Sequence, residues 1–175
     1  MQDRIFISIE TTGINTSTDK IVEIAALKID KNNLKSLFHQ IINPEKDIDK
    51  NISNIIGYSN EELKKYPKIS EINESFINFI NSSTLIGHNN DFIFNFLNKE
   101  FNVQISNEKI DVFEIAKKKF PNENNSIDNL KKKLNIINNS TFSSSLNDDE
   151  KVELLIIFNF FFKLSIELFS FGNFF

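Results

Sequence analysis

Ile9-Glu10-Thr11-Thr12-Gly13 stands two residues beyond the apolar run Ile5-Phe6-Ile7, and how this stretch is read decides the fold. The apolar run reads as the first strand of a sheet, residues 4–10, and Thr11-Thr12-Gly13 turns the chain into a polar loop from Asn15 to Asp19. Side chains alternate along a strand, so positions 8 and 10 share a face, and an acid at each would make a paired metal site. Glu10 is present. Position 8 is Ser8.

Working outward, Lys20 to Ile29 alternates around Ile21, Glu23 and Ala25, and Leu34 to Ile42 returns after the polar turn Lys31-Asn32-Asn33, which predicts an antiparallel three-strand meander. Pro44 ends the third strand. From Ser59 the spacing becomes helical: Glu61-Glu62-Leu63 predicts a short helix stopped before Pro67, and Ser70 to Ile80 a second with Ile72, Phe76, Ile77 and Ile80 on one face. Thr84-Leu85-Ile86-Gly87 reads as a buried strand. His88-Asn89-Asn90 follows, with an asparagine suited to cap a helix starting at about Asp91 that turns Phe92, Phe96 and Leu97 inward. Lys109 to Val112 predicts a brief strand, Phe113 to Phe120 a helix closed by Pro121, and Ser126 to Leu134 another helix. After a Ser-rich loop from Asn138 to Ser145, a last helix is expected from about Asn147, where Asn147 and Glu150 have capping-box spacing. Three antiparallel strands followed by alternating helices and strands make an α/β layered fold.

At 175 residues and 40% hydrophobic, the chain is large enough for one core, expected as a single domain over 1–168 with a Phe-rich tail over 169–175. There is no cysteine, so disulfides and thiolate metal sites are excluded, and nothing resembles a signal peptide; a soluble cytoplasmic protein is expected. The net charge of -4 argues against broad attraction to phosphate backbones, leaving room for a local basic patch. Heavy use of Asn, Ile, Lys and Phe fits codon bias in an AT-rich genome.

Six pieces in order carry a resemblance: Ile9-Glu10-Thr11-Thr12-Gly13, the Ile21–Ala26 strand (IVEIAA), Gly57 to Leu63 before Pro67, His88-Asn89 with Phe92 and Phe96, Asp111 to Pro121 (DVFEIAKKKFP) and Ser126 to Leu130 (SIDNL). Across nearly its whole length the chain resembles the DnaQ-like 3′-to-5′ exonucleases of the DEDDh type, such as the epsilon proofreading subunit of bacterial DNA polymerase III. The resemblance implies a ribonuclease H-like fold with a five-stranded mixed sheet. It implies an active site where the first strand, the Phe92 helix and the last helix converge.

The family's chemistry uses four carboxylates, two divalent ions, usually magnesium or manganese, and a histidine that deprotonates the attacking water. Residue by residue, the first Asp falls on Ser8, the Glu on Glu10, the second Asp on Ile93, the His on Ser143 and the third Asp on Asp148, with Asp149 the alternative register. Glu10 and Asp148 are retained and would hold one ion weakly. Neither Tyr58 nor Tyr66 lies where a tyrosine variant of the site needs one. Asp91 precedes position 93 by roughly 200° of helical rotation and leaves another side of the helix. Ile93 offers no ligand atom. Losing the base alone costs on the order of a hundredfold to ten-thousandfold in rate.

The resemblance further implies that Thr11, Thr12, Gly13, His88 and Asn89 border the pocket for a nucleic-acid 3′ end, although the turn and the strand-to-helix junction are also sufficient reasons for these residues. His39 reads as a surface or sheet-edge residue. Lys117-Lys118-Lys119 and Lys131-Lys132-Lys133 read as solvated helix ends favourable to the dipole, or as phosphate contacts. The aromatic end, Phe158 to Phe175, is interrupted by Asn159, Lys163 and Glu167 and so does not read as a membrane span; most of it is expected to pack on the sheet as the terminal helix, and the final Phe169 to Phe175 suits a homodimer contact or a protein partner. Three readings follow. The chain is a catalytically impaired homologue that binds a single-stranded 3′ end, an active metal-dependent exonuclease of DNA or RNA with a rearranged site, or a non-catalytic scaffold subunit.

Overall fold

Strand β1 (Arg4–Thr11) is the centre of the sheet, because its apolar residues Ile5, Ile7 and Ile9 point to one face and are all buried. Antiparallel to it runs β2 (Ile21–Ile29), placing Ala26 opposite Ile7 and Ile24 opposite Ile9 on that face, and β3 (Lys35–Ile41) pairs antiparallel with β2. The expected meander is therefore present. The computed structural model describes residues 3–30, 32 and 35–133, so Lys31 and Asn33 of the connecting turn lie outside the described residues.

After β3 come α1 (Lys50–Ile56), α2 (Asn60–Leu63) and α3 (Ile69–Ile80), then β4 (Thr84–Gly87), α4 (Asn90–Phe101) and β5 (Lys109–Asp111). β4 is parallel to β1, with Phe6 opposite Ile86, and the strand order is β3-β2-β1-β4-β5: a five-stranded mixed sheet, as expected. Helix α3 buries Ile72, Phe76 and Ile80, and α4 buries Ile93, Phe94, Phe96, Leu97 and Phe101; together with the apolar face of β1 and β2 they form one core. Phe76 stacks on Phe101 with ring centroids 4.6 Å apart. Each such buried side chain stabilises the fold by roughly 1.5–3 kcal/mol relative to exposure.

Helix α1 is not among the elements expected from the sequence. It has only seven residues and buries none of them fully, so its apolar spacing is weak. Its ends do carry signals: Asp49 accepts the N–H groups of Asn51 and Ile52, and Gly57 closes it with φ 80°. At α2 the capping box is complete, Ser59 N–H donating to Glu62 Oε2 at 2.8 Å and Glu62 N–H to Ser59 Oγ at 3.3 Å.

Two compact units divide the chain after Ile110, the first carrying the core just described. In the second, Asp111 caps α5 (Val112–Lys119) by accepting the Phe113 N–H at 2.8 Å. Buried Asn125 holds the connection to α6 (Ile127–Lys133) by donating to the carbonyls of Phe120 and Glu123, each at 3.0 Å. Lys117, Lys118, Lys119 and Lys132 are exposed. The Ser-rich loop, the expected last helix and the aromatic end from Phe158 lie outside the described residues. No helix among the described residues is long and apolar enough to cross a membrane.

Candidate functional site

Glu10 is exposed at the end of β1, with half-buried Ser8 two residues before it on the same face. The ladder register shifts between Glu10 and Thr11, a bulge that bends the strand and directs the chain out of the sheet. Opposite Glu10 on β2 stands Glu23. Like charges directly across an antiparallel pair are unfavourable. Glu23 is satisfied from its other side by His39 of edge strand β3, whose Nε2 lies 2.9 Å from Glu23 Oε1, with both side chains 17% exposed. His39 is thus an edge-strand residue, as expected, turned into a contact with an acid.

The turn after the bulge is closed upon itself. Thr11 Oγ1 donates to the Gly13 carbonyl at 2.7 Å, and Thr12 N–H donates to the Lys20 carbonyl at 2.8 Å. The buried Thr12 hydroxyl accepts the Lys20 N–H at 3.0 Å and donates to Asp19 Oδ1 at 3.3 Å. Asp19 Oδ2 accepts the Asn15 N–H at 2.9 Å, and Lys46 Nζ donates to Asp19 Oδ1 at 2.9 Å. The Lys46 ammonium and the Asn15 N–H hold the Asp19 carboxyl below the usual carboxylate range. Gly13 is required here by space: a Cβ on it would lie 2.4 Å from Asp19 Oδ2. Ile14, next in the chain, is 87% exposed.

Helix α4 faces this turn from its other end. Lys99 Nζ donates to the Asp19 carbonyl at 3.1 Å, and Lys20 Nζ reaches Glu100 Oε1 at 3.1 Å. At the start of α4 the N-cap residue is Asn89, which takes φ 67° and makes no side-chain capping bond, so the side-chain cap expected from an asparagine of His88-Asn89-Asn90 is not made there. Its contribution is the left-handed backbone conformation that asparagine tolerates better than most residues. His88 is half-buried and Asn90 buried.

Ile93 is 4% exposed and belongs to the core. It packs at the end of β4, where Gly87 leaves room for it: a Cβ on Gly87 would lie 2.8 Å from Ile93 Cδ1 and 2.5 Å from Asn90 Oδ1. Asp91, two residues earlier, is exposed. Of the ligands that the resemblance implies, the described residues therefore hold Glu10, while Ser8 supplies a neutral hydroxyl and Ile93 hydrocarbon. Among the described residues no three His, Cys, Asp or Glu side chains group as a metal site. Ser143, Asp148 and Asp149 lie outside the described residues.

The structure brings Thr11, Thr12 and Gly13 together in one turn and sets His88 and Asn89 at the β4–α4 junction. Sequence reading missed Asp19, because its partners Lys46 and Lys99 are 27 and 80 residues away. The available signal was an acid closing a polar loop that opens on Thr-Thr-Gly.

Residues 5–148 match the exonuclease family of RNase T type. Over 182 residues the chain is 32% identical to the DNA polymerase III epsilon subunit of Buchnera aphidicola subsp. Baizongia pistaciae, spanning 95% of this chain and 74% of that protein. It is 34% identical to the epsilon subunit of the subspecies Schizaphis graminum over 72% of this chain and 60% of the relative. Against a PolC-type DNA polymerase III of Thermotoga petrophila it is 29% identical, spanning 10% of that longer protein. Among solved structures, product-bound exonuclease I superposes with a TM-score of 0.73 at 15% identity, covering 98% of this chain and 46% of the other. Exonuclease X in complex with 5′-overhanging duplex DNA gives 0.68 at 16%, covering 98% and 94%. At such identities these structures establish the ribonuclease H-like fold. The family match over most of the length and the epsilon subunit across 95% of it make this chain a member of the DnaQ-like exonuclease family.

Proposed function

We propose that this chain is a DnaQ-like exonuclease homologue with impaired catalysis that retains binding of a single-stranded nucleic-acid 3′ end. The observation that carries the reading is Ile93: where the family has its second acid, a side chain 4% exposed is committed to the core beside Gly87. Ser8 in place of the first acid and Ser143 in place of the base point the same way. Glu10 with Asp148 leaves one weakly held magnesium or manganese ion, short of the pair that activates water and stabilises the leaving oxygen. Binding is supported by the closed Thr11–Lys20 turn, which holds backbone and hydroxyl groups in place beside the exposed apolar side chain of Ile14. The substrate class is supported by neighbours: exonuclease I from E. coli is known in complex with a dT13 oligonucleotide, and exonuclease X with overhanging DNA. The protein acts in the cytoplasm, in this reading, through occupancy of the strand end.

The test is degradation of a 5′-labelled single strand in magnesium and in manganese. It compares the natural chain, Glu10→Ala, and a variant carrying Ser8→Asp, Ile93→Asp and Ser143→His. Thermal unfolding in the same buffers verifies that each is folded. The natural chain leaves the strand intact and the restored variant shortens it. Metal-dependent cutting by the natural chain that disappears in Glu10→Ala overturns the proposal in favour of an active enzyme with a rearranged site. Self-association without strand binding favours the scaffold reading instead.

A further inference from the structure

We infer that Asp19 is the positioning residue of the 3′-end site, the group through which the Thr11–Gly13 turn is held in register with two other parts of the sheet-bearing unit. The inference rests on the binding reading above, because the turn it positions is the one assigned to the strand end. Asp19 stands outside the six stretches that carry the resemblance. Its carboxylate nonetheless gathers three donors from three places: the Thr12 hydroxyl at 3.3 Å, the Asn15 N–H at 2.9 Å and the Lys46 ammonium, from the segment after β3, at 2.9 Å. Its carbonyl takes the Lys99 ammonium of α4 at 3.1 Å. Lys46 also donates to the Thr18 carbonyl at 3.1 Å, so the charge pair is anchored on both sides.

What this does to the turn follows from geometry. The Thr12 hydroxyl has one proton, and giving it to Asp19 leaves its lone pairs for the Lys20 N–H, which fixes the rotamer of Thr12 and closes the loop across its neck. Gly13 lies against the same carboxylate, at a distance no side chain could share. The acid therefore sets where Gly13 sits, and with it the exposed outer edge of the turn from Thr11 to Ile14. The carboxylate is 15% exposed and its partner Lys46 41% exposed, so the tie is made at the surface edge of the turn. A side chain without an acceptor at 19 would leave the Asn15 N–H and the Lys46 ammonium to solvent and the turn without its tie to the segment after β3, and a neutral amide would keep only the uncharged part of it.

The test is fluorescence anisotropy in EDTA, where no strand is cut, with a 5′-fluorescein single-stranded oligonucleotide ending in a 3′-hydroxyl and the same strand ending in a 3′-phosphate. The proteins are the whole chain and its variants Asp19→Ala, Asp19→Asn, Lys46→Met and, as a remote control, Lys64→Ala, with thermal unfolding of each. The natural chain prefers the 3′-hydroxyl strand. Asp19→Ala weakens that binding tenfold or more and erases the preference, Asp19→Asn keeps part of both because its amide oxygen still accepts from Asn15, Lys46→Met falls between, and Lys64→Ala behaves as the natural chain. A folded Asp19→Ala with natural affinity and preference overturns the inference while the binding reading stands. If Asp19→Ala does not fold, natural behaviour in both Asp19→Asn and Lys46→Met overturns it equally. A natural chain with no preference for the free 3′ end overturns the binding reading, and the inference with it.

Discussion

Replacing Ile93 with aspartate puts a carboxyl where the core now has a branched hydrocarbon, and the cost can be worked from its surroundings. At 4% exposure, next to Gly87 and within the cluster that includes Phe94, Phe96 and Leu97, the isoleucine is in the class whose truncation costs about 2–5 kcal/mol. The incoming carboxyl adds its own desolvation, which at such a site costs several kcal/mol if it stays ionised and less if it takes a proton. A net loss of about 4 kcal/mol or more is expected, a large part of a total stability of about 5–15 kcal/mol. With about 2–4 °C of Tm per kcal/mol at this size, the midpoint falls by about 8–16 °C. Thermal unfolding followed by far-ultraviolet circular dichroism measures it, with Ile93→Val as a control expected to cost about 0.5–1.5 kcal/mol. The metal dependence is the sharper part. With Ser8→Asp added, the variant regains ligands, and manganese at a hundred times its dissociation constant restores about 2.7 kcal/mol, whereas in Ile93→Asp alone the gain is small. A loss below about 1 kcal/mol would refute the reasoning, because that is the range of substitutions on exposed surface; position 93 would then face water rather than the core.

Gly13→Ala places a Cβ 2.4 Å from Asp19 Oδ2 and 2.7 Å from its Cγ, so the turn must open or the acid must move; about 1–3 kcal/mol of destabilisation is expected in urea unfolding, with tenfold or weaker binding of the 3′-hydroxyl strand. Acid dependence follows from Asp19, whose folded pKa lies below its ordinary 3.8. The unfolded chain therefore binds the proton more readily, the stabilisation is fully present above about pH 4, and it is lost as pH falls through the folded pKa. Urea midpoints of the natural chain between pH 5 and pH 2 should decline more steeply than those of Asp19→Asn, and parallel curves would mean that Lys46 and Asn15 do not favour the ionised acid.

How legible the chain is depends on how local each signal is. The run Ile5-Phe6-Ile7 before Glu10, the IVEIAA strand and the return to Ile42 have period two and short connections, so the meander could be read before any tertiary contact was known. The face of α3 set by Ile72, Phe76 and Ile80 is likewise a local pattern that the structure repeats. Helix α1 was hidden because seven residues with none fully buried make little periodic signal, although Asp49 and Gly57 mark its ends. At His88-Asn89-Asn90 the sequence shows asparagines suited to capping and cannot show that the backbone of Asn89 takes φ 67° with no side-chain capping bond.

By itself, then, the sequence determined the order and type of the main elements among the described residues and the family to which they belong. Those are properties of residue identity and short-range spacing. Tertiary structure alone decided that Ile93 is buried beside Gly87, that Glu23 stands across from Glu10 with His39 beside it, and that Asp19 gathers Thr12, Asn15, Lys46 and Lys99 around the turn. The reason is physical: a carboxylate has no sequence signature for a partner 27 residues away, and burial is a property of what folds over a residue, not of the residue itself.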